Sequence, residues 1–199
     1  MRVPAELVLA SSNPGKLAEF RVLAADAAPT PRLSFLPNFS AIPAFEETAD
    51  TFGENALGKA LYYSRHCDEI VVADDSGLVV PALDGAPGVH SARYAGPGAT
   101  NEQRIAKLLS ALAAKPGSDR SAYFVCVIAA ARAGRGIAIV SARVDGSIAS
   151  APCGSQGFGY DPVFFFPPLQ KTFAQLSSAD KNRHSHRGKA FLRLLAALL

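Results

Sequence analysis

Ile70-Val71-Val72-Ala73-Asp74-Asp75-Ser76-Gly77-Leu78 joins an apolar, β-branched run to two adjacent carboxylates and a small polar pair. Continuous hydrophobicity over residues 70–73 is the pattern of a strand covered on both faces, and Ser76-Gly77 predicts the turn that ends it. The two acids then stand at the C-terminal edge of a buried strand. In open α/β sheets ligands collect beyond such edges, and two ionised carboxylates side by side repel unless a cation or a shared proton relieves them. A divalent metal answers that need; a solvated Asp-Asp turn is the plain alternative.

Upstream, Leu7-Val8-Leu9-Ala10 reads as a first strand, followed by a turn and a helix over 16–26 with Leu17, Phe20 and Leu23 at helical spacing. A proline-rich connection (Pro29, Pro31, Pro37, Pro43) passes Glu46-Glu47 to Thr51-Phe52-Gly53-Glu54, a capping-box pattern that opens a helix reaching about residue 66. Downstream of the Asp pair, a loop rich in Gly and Pro over 84–98 precedes a second capping box, Thr100-Asn101-Glu102-Gln103. Its helix stops at Lys115-Pro116-Gly117. Residues 121–132 and 137–144 predict two long strands joined by a hairpin at 133–136, and Asp145-Gly146 predicts a turn into a further short strand. A glycine-rich loop over 154–162, the run Val163-Phe164-Phe165-Phe166 and a helix carrying Phe191, Leu192, Leu194 and Leu195 complete the chain. Strands interleaved with helices, plus a hairpin, give an α/β domain with a mixed central sheet flanked by helices.

The 199 residues fit one domain or two closely packed lobes, and 49% hydrophobic content is ample for a core. A net charge of +3, from 20 basic and 17 acidic residues spread along the chain, gives no field that predicts nucleic-acid or membrane binding. Cys67, Cys126 and Cys153 are odd in number and contain no C-x-x-C pair, which argues against disulfides and zinc and for a reducing cytoplasm. The segment after Met1-Arg2-Val3-Pro4 is too short for a signal peptide, and the longest apolar stretch, 124–131, is too short for a membrane span. A soluble, cytoplasmic protein is expected.

Three further clusters carry chemistry. Ser11-Ser12-Asn13-Pro14-Gly15-Lys16 has hydroxyls, a turn, a helix N-terminus and a lysine, the parts of a phosphate cradle, although the Walker A spacing is absent. An N-cap turn with an exposed lysine has the same composition. Residues 181–189 pack four cations with His184 and His186, which suits a triphosphate or a solvated basic helix start; two histidines two apart face different ways on a helix, which rejects zinc. Gly157-Phe158-Gly159-Tyr160-Asp161-Pro162 sets aromatics between glycines, so that a ring can stack on a planar ligand, or simply bends a hairpin. Together with the Asp pair these describe a nucleotide site.

Six motifs also carry a resemblance. Ser11-Ser12-Asn13-x-x-Lys16, Phe52-x-Glu54-Asn55-Ala56, Ala73-Asp74-Asp75-Ser76-Gly77-Leu78, Pro87-Gly88-x-x-Ser91-Ala92-Arg93-Tyr94, Gly157-Phe158-Gly159-Tyr160-Asp161-Pro162 and Lys181-Asn182-x-x-Ser185-His186-Arg187-x-x-Ala190 occur in the order of the inosine/xanthosine triphosphate pyrophosphatases, which the chain resembles from residue 7 to about 195. The resemblance implies one elongated α/β domain over 1–199 with two lobes flanking a cleft, acting as a homodimer. The implied activity is Mg²⁺-dependent hydrolysis of non-canonical purine nucleoside triphosphates (dITP, ITP, XTP) to monophosphate and pyrophosphate. It further implies that Ser11, Ser12, Asn13, Pro14, Gly15 and Lys16 hold phosphates, that Glu47 and Asp75 serve the metal, and that Asp75 accepts the proton. Ser76 would touch substrate, and Phe158, Gly159, Tyr160, Asp161, Lys181, His186 and Arg187 would surround the nucleoside. Arg187 and the backbone near His186 are the candidate donors to a purine O6. Glu46, adjacent to Glu47, is the alternative metal ligand, and Glu54 is expected to be only the capping partner of Thr51. A pyrophosphatase for other modified nucleotides and a non-catalytic nucleotide sensor are the alternative functions.

Overall fold

The structure is a computed structural model that describes residues 6–25 and 30–198. The N-terminal residues weighed above as a leader, Asp26 as the expected helix end, and Pro29 lie outside the described residues. Among the described residues the strands form one mixed sheet in the order β2-β1-β3-β4-β5-β6-β7, which bears out the expected α/β class. These strands are β1 (Glu6–Leu9), β2 (Arg32–Phe35), β3 (Ile70–Val79), β4 (Ser121–Arg132), β5 (Arg135–Ile148), β6 (Phe164–Phe166) and β7 (Lys171–Thr172). β1 runs parallel to both β2 and β3, whereas β6 is antiparallel to β5 and to β7. The helices are α1 (Pro14–Ala25), α2 (Phe52–Tyr63), α3 (Asn101–Ala113), α4 (Ser178–His184) and α5 (His186–Leu198).

Two compact units divide the chain. The first contains the described parts of Met1–Asp75 and His186–Leu199, together with Cys126–Ala142; the second contains Ser76–Val125 and Arg143–Ser185.

In the first unit, alternate residues of each strand enter different cores, as the period of two in a strand requires. Leu7, Leu9, Val72, Cys126, Ile128 and Ala130 face α1 and α5, where Phe20 stacks on Phe191 with ring centroids 4.5 Å apart. Val8, Ala10, Val71, Ala73, Val127 and Ala129 instead join Ala56, Ala60 and Tyr63 of α2. The strand of the opening motif is therefore covered on both faces, as its continuous hydrophobicity implied. In the second unit one core collects Leu78, Val80, Phe124, Val144, Phe164, Phe166 and Phe173 against Ile105, Leu108 and Leu112 of α3.

The helix starts follow their sequence signals. Pro14 occupies the first turn of α1, where its missing N–H costs nothing, and Asn13 Oδ1 accepts from the N–H groups of Gly15 (2.9 Å) and Lys16 (3.3 Å). Thr51 caps α2 by accepting from the Glu54 N–H, and Thr100 with Gln103 closes a full capping box on α3. α2 ends at Tyr63 rather than near 66.

Two strand expectations are corrected. Ser76-Gly77 does not end β3, which continues to Val79 and places the Asp pair in mid-strand. Asp145-Gly146 is likewise no turn, since β5 continues through it to Ile148. Pairing within the sheet overrides the local turn preference of these dipeptides. Phe164 and Phe166 are buried, as expected for the Phe run, and Phe165 between them is half-buried.

Candidate active site

The alternation of β3 decides what its two acids do. Asp74 continues the parity of Val72, toward α1 and α5, and Asp75 continues that of Ala73, toward α2. The expectation that the pair stands side by side is therefore corrected: adjacent strand residues point to opposite faces of the sheet.

Asp74 is saturated with cations. Lys16 Nζ donates to both of its oxygens, at 2.7 and 2.9 Å, and Arg187 Nε lies 3.7 Å from Oδ2. Burial alone would raise its pKa, but Lys16 and Arg187, with Lys59 behind them, hold the carboxyl well below the usual range. Arg187, expected beside the base, is itself buried here and also donates from Nη1 to Glu19 Oε2 at 2.8 Å. The same carboxylates raise its pKa further.

Asp75 has the opposite environment. Burial, followed by the negative charge of Glu47, pushes its pKa up to about 6; the Lys59 charge and the Asn55 amide pull the other way. Its Oδ2 is buried and has no hydrogen-bond partner among the described residues. Lys59 forms an ion pair with Glu47 and donates to the Asp74 carbonyl at 3.1 Å. Burial works against the Lys59 charge, yet Asp74 and Glu47 more than offset it and the pKa rises. Of the two adjacent glutamates, Glu46 is exposed and Glu47 is the one that meets Lys59.

Among the described residues no group of three or more His, Cys, Asp or Glu side chains converges as a metal cluster. Mg²⁺ does not require one, because it keeps several waters and is bound through one or two carboxylates plus phosphate oxygens. Glu47 and Asp75 fit that donor set, and the partnerless buried Asp75 oxygen is the kind of atom a hard cation satisfies.

The turn between β1 and α1 places Ser12, Asn13, Pro14 and Gly15 at the surface, with Ser11 Oγ accepting from the Asn13 N–H at 3.1 Å. Lys16 reaches from this turn to Asp74, so cradle and acid belong to one constellation. Ser76 follows Asp75 in the same strand, and His186 is buried at the start of α5.

The second unit holds the aromatic loop. Phe158 is 40% exposed, whereas Tyr160 is buried and donates its hydroxyl to the Ser91 carbonyl at 3.0 Å. Phe158 is thus the ring of this loop that presents a face. Asp161 Oδ2 accepts from Lys181 Nζ (2.5 Å) and from the Phe158 N–H (2.8 Å), and Lys181 Nζ lies 4.5 Å from the centre of the Phe158 ring. A Cβ at Gly157 would fall 2.1 Å from Asp161 Oδ2, at φ +75°, so glycine is what lets this loop close on its own carboxylate. Gly159 follows with a positive φ as well.

Lys59 and Asn55 were given no role by the sequence reading, although Asn55 stands in the motif Phe52-x-Glu54-Asn55-Ala56, and Glu19 was missed. The signal for the first two was available: four apart on α2, they share one helix face, and Asn55 is an amide within an apolar stripe. Glu54 is only the partner of Thr51, whose hydroxyl donates to Glu54 Oε2 at 2.7 Å, as expected.

Known proteins share this arrangement of sequence and fold. The sequence is 49% identical over 189 residues to the dITP/XTP pyrophosphatase of Geobacillus kaustophilus, covering 95% of this chain and 92% of that protein. It is 49% identical over 196 residues to the dITP/XTP pyrophosphatase of Gloeobacter violaceus, covering 96% and 92%. Among solved structures, the HAM1 protein of Coxiella burnetii matches with a TM-score of 0.88 at 45% identity, over 97% of this chain and 98% of that one. The Staphylococcus aureus Ham1 protein matches with a TM-score of 0.85 at 41% identity, over 97% of each. The Ham1 family profile matches residues 7–197, and the chain belongs to the Ham1 family.

Proposed function

We propose that this protein is a Mg²⁺-dependent nucleoside-triphosphate pyrophosphatase that cleaves the α–β phosphoanhydride of dITP, ITP and XTP, releasing the monophosphate and pyrophosphate. The observation that carries this reading is the opposite fate of two adjacent carboxylates. Asp74 is held as an anion by Lys16 and Arg187, while Asp75 is raised to about 6 and keeps one buried oxygen without a hydrogen bond. Neighbouring acids whose environments push their pKa values apart mark an acid/base site. The substrate class comes from the relatives, which are dITP/XTP pyrophosphatases at 49% identity.

Asp75 is ionised at neutral pH, and its carboxylate takes the proton of the attacking water; a base with a pKa near the working pH is the effective one. The water oxygen bonds to the α-phosphorus as the bond to the bridging oxygen breaks, and pyrophosphate leaves with that electron pair. Glu47 and Asp75 would hold Mg²⁺, which would supply charge neutralisation on the phosphate oxygens. Lys16, poised beside the Ser11–Gly15 turn, shares that task, with Asp74 holding its ammonium in place between turnovers. Phe158 offers its exposed face to the base, and Asp161 fixes both that ring and Lys181. Ser76, Tyr160, His186 and Arg187 complete the substrate surroundings, with Tyr160 buried and anchored on the Ser91 carbonyl and Arg187 buried beside Asp74.

Keto-purines present an O6 acceptor and an N1–H donor where adenine presents the reverse, so donors aimed at O6 reject ATP by leaving buried groups unpaired. The same reading makes the protein a cytoplasmic homodimer acting on free nucleotides, with neither nucleic acid nor membrane as a partner. The test is pyrophosphate release from ITP, XTP, dITP, ATP and GTP, each with Mg²⁺ and with EDTA. Metal-dependent monophosphate and pyrophosphate from the keto-purines ITP, XTP and dITP, with ATP spared, is expected. Equal turnover of ATP would overturn the base selection, and tight ITP binding without turnover would make the protein a sensor.

A further inference from the structure

Asn55 has no part in the steps above, yet it is 1% exposed, near the start of α2. Asparagine is a poor helix former, and its amide must find partners when buried. Here Asn55 Oδ1 accepts from the Ala49 N–H at 3.1 Å and Nδ2 donates to the Ala49 carbonyl at 3.1 Å. This reciprocal pair closes on the backbone of the extended segment, two residues beyond Glu47. On β3, Asp75 has the parity of Ala73 and so faces α2, the helix that carries Asn55. The amide has one acceptor oxygen and two N–H donors, and Ala49 takes the oxygen and one donor.

Two tyrosines of the same helix hold the front of the segment. Tyr63 accepts from the Phe45 N–H at 3.1 Å, and Tyr62 donates to the Pro43 carbonyl at 3.0 Å. Asn55 holds its rear, on the other side of Glu47.

We infer that Asn55 is a positioning residue that sets Glu47 against Asp75, by clamping the Glu47 segment at Ala49 onto α2, the helix that Asp75 faces, so that the two carboxylates meet one divalent cation. This rests on the reading of Glu47 and Asp75 as cation ligands. Groups that orient metal ligands typically cost about 10–100-fold in metal affinity when removed.

The experiment titrates Mn²⁺ into the full-length protein by calorimetry, without nucleotide, for the unsubstituted chain, Glu47→Gln, Asp75→Asn, Asn55→Ala and Asn55→Ser, and follows hydrogen exchange at the Ala49 amide. The expected result is Mn²⁺ binding by the unsubstituted protein that Glu47→Gln and Asp75→Asn abolish and that both Asn55 variants weaken by roughly 10–100-fold, with faster exchange at Ala49. A residue that mattered only for folding would lower the melting temperature and leave the Mn²⁺ affinity alone. Loss of binding in the two carboxylate variants with affinity within about twofold in folded Asn55 variants overturns the inference and leaves the ligand assignment standing. Unchanged binding in Glu47→Gln and Asp75→Asn overturns both. Should the Asn55 variants not fold, the unsubstituted protein decides: saturating Mn²⁺ slows exchange at Ala49 if the clamp couples the two sites, and an unchanged rate refutes it.

Discussion

Asp75 is buried beside Glu47 and carries a pKa of about 6 in the folded chain against an ordinary 3.8. A carboxyl whose folded value is raised destabilises the fold once it ionises: the cost is absent below about pH 4 and complete above about pH 6. Asp75→Asn removes that cost, so in EDTA the variant is expected to melt at a higher temperature than the parent at pH 8, with the difference fading toward pH 4. Thermal melts across that range check it. The same substitution should lower kcat with ITP by roughly 10²–10⁴-fold, the span of general-base catalysis. A proton and a metal ion compete for the same oxygen, so Mn²⁺ affinity should fall as pH drops below about 6 and level off above it. Calorimetric titrations at several pH values would show a flat profile if Asp75 were not a ligand. The sequence displayed the two acids but not their separation; that follows from the strand parity of residues 74 and 75, which Ser76-Gly77 concealed by imitating a turn.

Elements were most legible where the signal is local. Thr51 with Glu54 and Thr100 with Gln103 are three-residue relations that tertiary context does not disturb, and both cap their helices. Strand ends were less legible, because Asp145-Gly146 and Ser76-Gly77 are turn formers by composition and become strand only through partners distant in sequence. β2 was missed for a related reason: four residues in a proline-rich connection become a strand only through β1. Within β5, Gly146 is required by packing rather than by a turn. A Cβ there would lie 2.4 Å from the Phe165 carbonyl oxygen and 2.7 Å from Phe164 Cζ. Gly146→Ala is expected to destabilise the protein by about 1–3 kcal/mol through this overpacking. Urea unfolding at pH 8 measures it, and a loss under about 0.5 kcal/mol would mean the strand yields at no cost.

At the scale of the whole molecule, the two units are interleaved in sequence. The first takes its core from α1, β1 and β3, but also from Cys126, Ile128 and Ala130 of β4 and from Phe191, Leu194 and Leu195 of α5. A fragment of residues 1–75 is therefore expected to be unfolded by circular dichroism, since more than half of the residues described in the core shared with α1 lie outside it. No composition shift marked this division, because each unit draws on strands that continue into the other: the boundary falls inside β3, β4 and β5. No described helix is long and apolar enough to cross a membrane, in line with the expectation from hydropathy.

The stacking of Phe20 on Phe191 has a consequence for biosynthesis. While the ribosome is still translating, α1 emerges early with Leu17, Phe20 and Leu23 uncovered, and it must wait for nearly all of the remaining chain before its partner helix appears. The nascent first unit is thus exposed to chaperones and proteases for most of its synthesis. A premature stop codon ahead of α5 would release a chain with this apolar face bare and with Asp74 deprived of Arg187, losing the oldest part of the polypeptide through the absence of the newest.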